Sequence, residues 1–179
     1  MRPRRIAGAF IRRIRSVGFC RRLGRILGLR VTIRQAVLSE MAFVEAHFHP
    51  NTDAPPQPPS PGVTNYVACI NGKIVGFVQL IRQAEGDSPH AGHWLYSLHV
   101  WHLYRGLGIG EALSRRVMEQ AQREKAPALS LVVYNDNRPA IKMYQKLGFS
   151  LVPVPELEKA FLEEAATGRR RIVMRRRFQ

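Results

Sequence analysis

The chain has 179 residues, 45% hydrophobic and 23% charged. That is enough for one well-buried core, too short for two ordinary domains, and unlike a disordered chain. The two cysteines, Cys20 and Cys69, form no CxxC pair and the histidines have no metal-ligand spacing, which argues against a disulfide framework or a metal site and fits a reducing cytoplasm. The net charge of +15 gathers at the ends: residues 1–30 hold ten arginines and no acid, and six more arginines fall in 169–177. Such an excess suits bidentate recognition of phosphate, and a GC-rich coding sequence would also produce it.

Residues 1–30 read as a basic amphipathic extension. Ile6, Phe10, Ile14 and Val17 fall on one helical stripe, with arginines between them and glycines interrupting it. A segment of this kind lies on an anionic membrane surface, binds nucleic acid, or serves as an Arg-rich transit peptide. No apolar run nears the roughly 20 residues that cross a bilayer. Residues 31–179 read as a single domain. The run 31–35 is a first strand, and Ser39 is placed to cap a helix through Met41, Phe43, Val44 and Phe48. Residues 49–62 carry six prolines, which exclude regular helix and strand pairing and predict a loop with polyproline II character. Strands at 66–70 and 74–80 flank Asn71-Gly72, a strong type I′ hairpin signal.

The next strand covers 94–101. A helix follows from about Gly108 to Glu124, with Ile109, Leu113, Val117, Met118 and Ala121 on one face. A strand at 129–134 leads to a second helix over 138–146, capped by Asn137, with Pro139 in its first turn and Gly148 past its end. A strand at 149–154, a helix at 160–165 and a final strand at 171–178 complete the chain. Strand and helix signals alternate in the order β–α–β–β–β–α–β–α–β from residue 31, with no internal repeat.

Two stretches carry chemistry. Arg105-Gly-Leu-Gly-Ile-Gly110 follows a strand and opens a helix. The helix start presents unpaired N–H groups and a partial positive charge, and glycines let the backbone approach an anion closely. The loop therefore reads as a pyrophosphate cradle, with Arg105 adding a charge-assisted bond. Its R-x-x-G-x-G spacing is neither the GxxxxGK[ST] loop nor GxGxxG. One strand and one helix later comes Asn-x-x-Ala-x-x-x-Tyr-x-x-x-Gly-Phe over 137–149.

Together with Leu98-His-Val100, these stretches resemble the GNAT superfamily of acyl-CoA N-acyltransferases, over about residues 31–178. The resemblance implies an α/β (α+β) fold: a mixed, mostly antiparallel twisted sheet of six to seven strands, flanked by helices and splayed between strands four and five. It further implies an enzyme that transfers an acetyl or acyl group from acetyl-CoA to a primary amine by direct attack in a ternary complex, without a metal. The pantetheine arm would pair with the backbone near Leu98 and Val100. The pyrophosphate would rest on the N–H groups of Gly106, Gly108, Ile109 and Gly110, beside Arg105. Asn137 would contact the pantetheine arm or hold its own loop, and Tyr144 would set its hydroxyl near the sulfur as the acid. The fourth strand has no carboxylate, which leaves Tyr96, His93 and His99 as candidate bases. His99 is the one carried forward, with the face it occupies depending on whether that strand is bulged.

The acceptor is an amine on a small molecule or a protein. Alternatives are a protein- or ribosome-directed N-terminal acetyltransferase and a non-catalytic acyl-CoA-binding module associated with membrane or nucleic acid. Nucleic acid is the less favoured partner and a homodimer is allowed. The expected location is cytoplasmic, with peripheral membrane contact through residues 1–30.

Overall fold

The computed structural model describes residues 30–48, 61–84, 86, 88–165 and 168–179. The basic extension at 1–29 and the stretch 49–60 of the proline-rich loop lie outside the described residues.

The elements are β1 (Val31–Gln35), α1 (Leu38–Phe48), β2 (Val63–Ile70), β3 (Lys73–Gln83), β4 (Gly92–Val100), a 3₁₀ turn (His102–Tyr104), α2 (Ile109–Arg123), β5 (Ala128–Tyr134), α3 (Arg138–Lys146), β6 (Ser150–Leu151), α4 (Pro155–Ala165) and β7 (Arg171–Arg177). The strands form one seven-stranded sheet in the order β1-β2-β3-β4-β5-β7-β6. Every neighbouring pair is antiparallel except β4 and β5, which run parallel.

Local chemistry explains most of these boundaries. Asn71 and Gly72 both take positive φ, 50° and 78°, and the flanking Ile70 and Lys73 pair across them, as the hairpin reading requires. Asn137 caps α3, its side-chain oxygen accepting from the Ala140 N–H at 3.3 Å, and Gly148 at φ 84° lies just past its end. Three expectations differ. Ser39 lies inside the first turn of α1 instead of capping it. Glu40 does that work, its carboxylate accepting from the Val37 N–H at 3.0 Å while Arg34 holds it from β1. The strand expected over 149–154 is confined to Ser150–Leu151, and the following helix starts at Pro155, ahead of the expected 160. Proline explains both: Pro153 cannot donate to a ladder, whereas Pro155 suits a first helical turn.

The sheet buries both faces. On one face α2 and α3 cover a core that includes Tyr66, Val78, Leu80, Leu95, Leu113, Leu131, Tyr144 and Met174. Gly76 lets α2 lie close: a Cβ there would stand 3.1 Å from a Leu113 methyl and from the His99 carbonyl. On the other face α1 packs Met41, Val44 and Phe48 onto Val67, Cys69, Ile74 and Phe77. Farther along that face α4 packs Leu157 and Phe161 against Trp94 and Val173.

Candidate active site

The central feature is the parting of β4 from β5. The two strands pair only at His93↔Leu129, Trp94↔Ser130 and Leu95↔Leu131. Beyond Leu95, β4 continues to Val100 on β3, while β5 continues to Tyr134 on β7. Two hydrogen-bonding edges therefore face each other across an open wedge inside the sheet. Backbone groups buried without partners cost free energy, so such a wedge suits a ligand with amide groups of its own.

A bulge sits where the strands separate. Ser97 takes φ 50°, and the β3 register shifts between Phe77 and Gln79. Strand alternation resets there. Trp94 packs on the α4 side of the sheet and Leu95 on the α2 side. After the bulge Leu98 and Val100 face α2, while His99 and Trp101 face α1. The backbone alternates as well. The Trp101 N–H bonds to the Val75 carbonyl on β3, so the N–H and C=O groups of Val100 and Leu98 point toward the wedge. This is the edge that the sequence assigned to the pantetheine arm.

The glycine loop closes the wide end of the wedge. Gly106 and Gly108 take φ 83° and 84°, in the left-handed region that favours glycine. Gly108 is the N-cap of α2 and supplies no side-chain cap. The first N–H groups of a 15-residue helix thus meet no capping oxygen of their own. Ile109 is buried in the core and fixes the helix start. Gly110 lies against Met143, Leu98 and Val100, and a Cβ there would make contacts of 3.5 to 3.8 Å. Arg105 donates its Nε to the Val100 carbonyl at 3.0 Å while its side chain stays exposed. The loop, Arg105 and the wedge edge are therefore one assembly, and its glycine-lined, uncapped helix start fits a diphosphate.

Tyr144 projects from α3 into the α2-side core, 5% exposed, with its ring 5.7 Å from Phe149 and edge-on to it. Burial pushes its phenol above the usual tyrosine range, so it keeps its proton at any physiological pH. His99 lies on the opposite face of the sheet. It is exposed, and its ring centroid is 6.1 Å from that of Phe48.

Some sequence candidates are thereby sorted. Asn137 spends its oxygen on its own helix, the second of the two roles foreseen for it. His93 lies at the closed end of the wedge, where its Nε2 meets Glu124 at 3.0 Å. Arg82 grips the same carboxylate through two 2.6 Å contacts, so this cluster bolts the end of α2 to β3 and β4 and takes no part in the wedge. Tyr96 stays at the apex, 49% exposed, opposite Gln79 on β3. Gln79 in turn donates to the Asn65 side chain at 3.0 Å.

Sequence reasoning missed the aromatic wall on the α1 face. Phe43, His47, Phe48 and Trp101 lie with ring centroids 4.0 to 6.3 Å apart. The helical spacing of Met41, Val44 and Phe48 announces a buried face, with Phe43 beside it. Nothing in the sequence marks Ser97 as the residue that turns His99 and Trp101 toward it.

A sequence profile described as the Acetyltransferase (GNAT) family matches residues 35–149. The chain belongs to this family. Among curated relatives it is 32% identical over 92 residues to L-amino acid N-acetyltransferase AaaT of Escherichia coli (strain K12), covering 51% of this chain and 56% of the relative. It is 35% identical over 96 residues to N-acetylaspartate synthetase of Xenopus tropicalis, covering 54% and 34%. The chain thus spans little more than half the length of the first of these and a third of the second. Among solved structures, a protein described as a streptothricin acetyltransferase from Bacillus anthracis str. Ames, in complex with acetyl coenzyme A, superposes with a TM-score of 0.63 at 18% identity, covering 84% of this chain and 98% of that one. The ribosomal-protein-S18-alanine N-acetyltransferase of Escherichia coli gives 0.60 at 21% identity, covering 83% and 94%. These likenesses establish the fold: a mixed α/β sheet, mostly antiparallel, with its parallel β4–β5 pair. Among the described residues no group of histidine, cysteine or acidic side chains is arranged to hold a metal ion, and no helix is long and apolar enough to cross a membrane.

Proposed function

We propose that this protein is an acetyl-CoA-dependent N-acetyltransferase acting on a primary amine. The observation that carries the reading is the uncapped, glycine-lined start of α2, set at the open end of a wedge whose β4 edge presents the backbone groups of Leu98 and Val100. Acetyl-CoA brings an acetyl group already activated as a thioester, and the residues of the chain position and discharge it.

The N–H groups at Gly106, Gly108, Ile109 and Gly110 take the diphosphate, with Arg105 as the adjoining cation. The wedge edge of β4 pairs with the pantetheine amides. An N–H on this edge also stabilises the charge that gathers on the thioester oxygen as the C–N bond forms. The C–S bond then breaks, and the sulfur leaves with the electron pair. Tyr144 donates a hydrogen bond to that sulfur. A phenol whose pKa is raised by burial is a weaker acid than an ordinary thiol, so it supports the departing thiolate by hydrogen bonding more than by complete proton transfer. The amine nitrogen must shed a proton during the attack. His99 is the candidate to receive it, because the Ser97 bulge turns it to the face of the sheet opposite Tyr144. Attack from the α1 face and departure supported from the α3 face keep the two proton movements apart.

On this reading the acceptor approaches from the α1 face, past Tyr96, His99 and Trp101. Amino acids are the first acceptors to screen, since two relatives are named for amino-acid chemistry, an L-amino acid acetyltransferase and an N-acetylaspartate synthetase. The test is release of free thiol from acetyl-CoA in the presence of an amino-acid panel. Amine-dependent release supports the reading. Tight coenzyme binding without release for any amine would favour a sensor in its place.

A further inference from the structure

A row of uncharged polar side chains crosses the sheet. Asn65, Gln79 and Tyr96 are successive cross-strand partners on β2, β3 and β4. Residues directly opposite in such pairs share a face. The face is the one that α1 and α4 cover: on β3, Phe77 packs in the α1 cluster and Ile81 against the α4 cluster, and Gln79 falls between them. Asn65 is 6% exposed and accepts from the Gln79 amide at 3.0 Å, so a buried polar group is kept paired in an otherwise apolar layer. Toward β4 the seam between the two helices opens to solvent. Gln79 is half-buried and Tyr96 is exposed, although β3 and β4 are central strands. Among the described residues the Tyr96 hydroxyl has no hydrogen bond.

The row ends where a thioester would lie. The pantetheine arm has about a dozen chain atoms between diphosphate and sulfur, the span of four residues, or roughly 14 Å when extended. Its diphosphate end belongs near Val100, which lies beside Gly110 and accepts from Arg105. Four residues back along β4, roughly 13 Å at the usual strand rise, is Tyr96. Tyr96 is also the first residue of β4 past its last pair with β5, Leu95↔Leu131. The wedge therefore ends where the arm ends. The bulge adds an independent relation. Gln79 pairs with Tyr96 and Phe77 with His99, so two steps on β3 match three on β4. The extra residue, Ser97, puts Tyr96 and His99 in consecutive positions on one face, roughly 7 Å apart.

We propose that Tyr96 is a further catalytic residue, its phenol oxygen accepting an N–H of the acceptor amine at the apex of the wedge, backed by Gln79 and Asn65. The inference rests on the wedge being the acetyl-CoA site. The hydrogen bond leaves the nitrogen lone pair aimed at the thioester carbon. As the C–N bond forms and the C–S bond breaks, Tyr96 keeps its own proton. The proton shed by nitrogen passes to His99, the next side chain on that face.

Bromoacetyl-CoA tests the placement, because it sets an electrophilic carbon beside the acetyl position and a nearby thiolate displaces its bromide. In the full chain, Tyr96→Cys is compared with Leu103→Cys, an exposed site on the 3₁₀ turn, and alkylation is mapped by mass spectrometry. Tyr96→Cys is expected to be alkylated about tenfold faster or more, and excess acetyl-CoA to abolish the difference. In parallel, Tyr96→Phe is expected to lower kcat/KM for hydroxylamine, a small amine probe, about tenfold, while the Kd for acetyl-CoA stays within about twofold. Alkylation of Tyr96→Cys no faster than that of Leu103→Cys overturns the proposal. So does a Tyr96→Phe protein that keeps the wild-type kcat/KM for hydroxylamine. Absence of any calorimetric binding of acetyl-CoA to the wild type overturns the underlying reading, and the proposal with it.

Discussion

Arg105 reaches back to the Val100 carbonyl at 3.0 Å, so the first residue of the glycine loop is tied to the strand edge that precedes it. On the proposed reading, one guanidinium therefore couples the two halves of the site: the helix start that would take the diphosphate and the strand edge that would pair with the pantetheine amides. Its remaining N–H groups are exposed at the mouth of the wedge. Arg105→Gln should raise the Kd for acetyl-CoA about tenfold, the value of one charge-assisted bond, with little change in melting temperature. Titration calorimetry checks it. An unchanged Kd would detach Arg105 from the coenzyme.

Tyr144 differs in kind, since the residue is buried and, on the proposed reading, its hydroxyl acts only as sulfur leaves. Tyr144→Phe is expected to lower kcat about 100-fold while the Kd for acetyl-CoA stays within about twofold. The pH dependence has a definite sign. Burial raises the phenol's pKa above its ordinary 10, so the protonated form persists on the alkaline side. Loss of activity through Tyr144 should not appear below pH 10 in a kcat profile. His99→Ala should lower kcat about tenfold or more with the Kd for acetyl-CoA unchanged, and an unchanged kcat would remove His99 as the acceptor of the amine's proton.

Ser97 holds a left-handed backbone in mid-strand, and the faces of His99 and Trp101 depend on it. Ser97→Gly keeps the bulge and removes the strain of a Cβ at positive φ. Activity should be retained and stability should rise by up to about 1 kcal/mol. Ser97→Pro fixes φ near −65° and cannot adopt the bulge. It should abolish turnover even where the chain still folds, as thiol release and near-ultraviolet dichroism together would show.

Glu124 controls acid stability. Arg82 above all, with Gln120 and His93, holds its carboxyl well below the ordinary 4.5, at about 2. A carboxylate depressed in the folded state stabilises the fold above the unfolded pKa and loses that contribution as pH falls. The loss should run from about pH 4.5 down to about 2. The side chain remains partly exposed, so solvent screening reduces its worth to about 1–2 kcal/mol. Glu124→Gln should show that loss at pH 7 and a flatter acid limb, in denaturant melts across pH.

Much of this arrangement is legible in the sequence, and the exceptions have physical causes. Asn71-Gly72 and Asn137 act through contacts within a few residues, so their spacing suffices to place a hairpin and a cap. Gly106 and Gly108 declare a left-handed backbone by their identity. Ser97 declares nothing, because its conformation is imposed by the β3 register and not by serine. His93 shows the same limit: a histidine on the fourth strand is open to catalysis until Glu124, 31 residues later, is seen to occupy it. Glu40 outdid Ser39 as a cap because Arg34 on β1 pins its carboxylate at the helix start.

The central claim is that the bare start of α2 grips the diphosphate of acetyl-CoA, and calorimetric titration of acetyl-CoA into wild type and Gly108→Glu tests it most directly. The account predicts saturable 1:1 binding to the wild type and at least about 100-fold weaker binding to a folded Gly108→Glu protein, as a side chain and its negative charge enter the cradle. Equal affinity of the two proteins would contradict it.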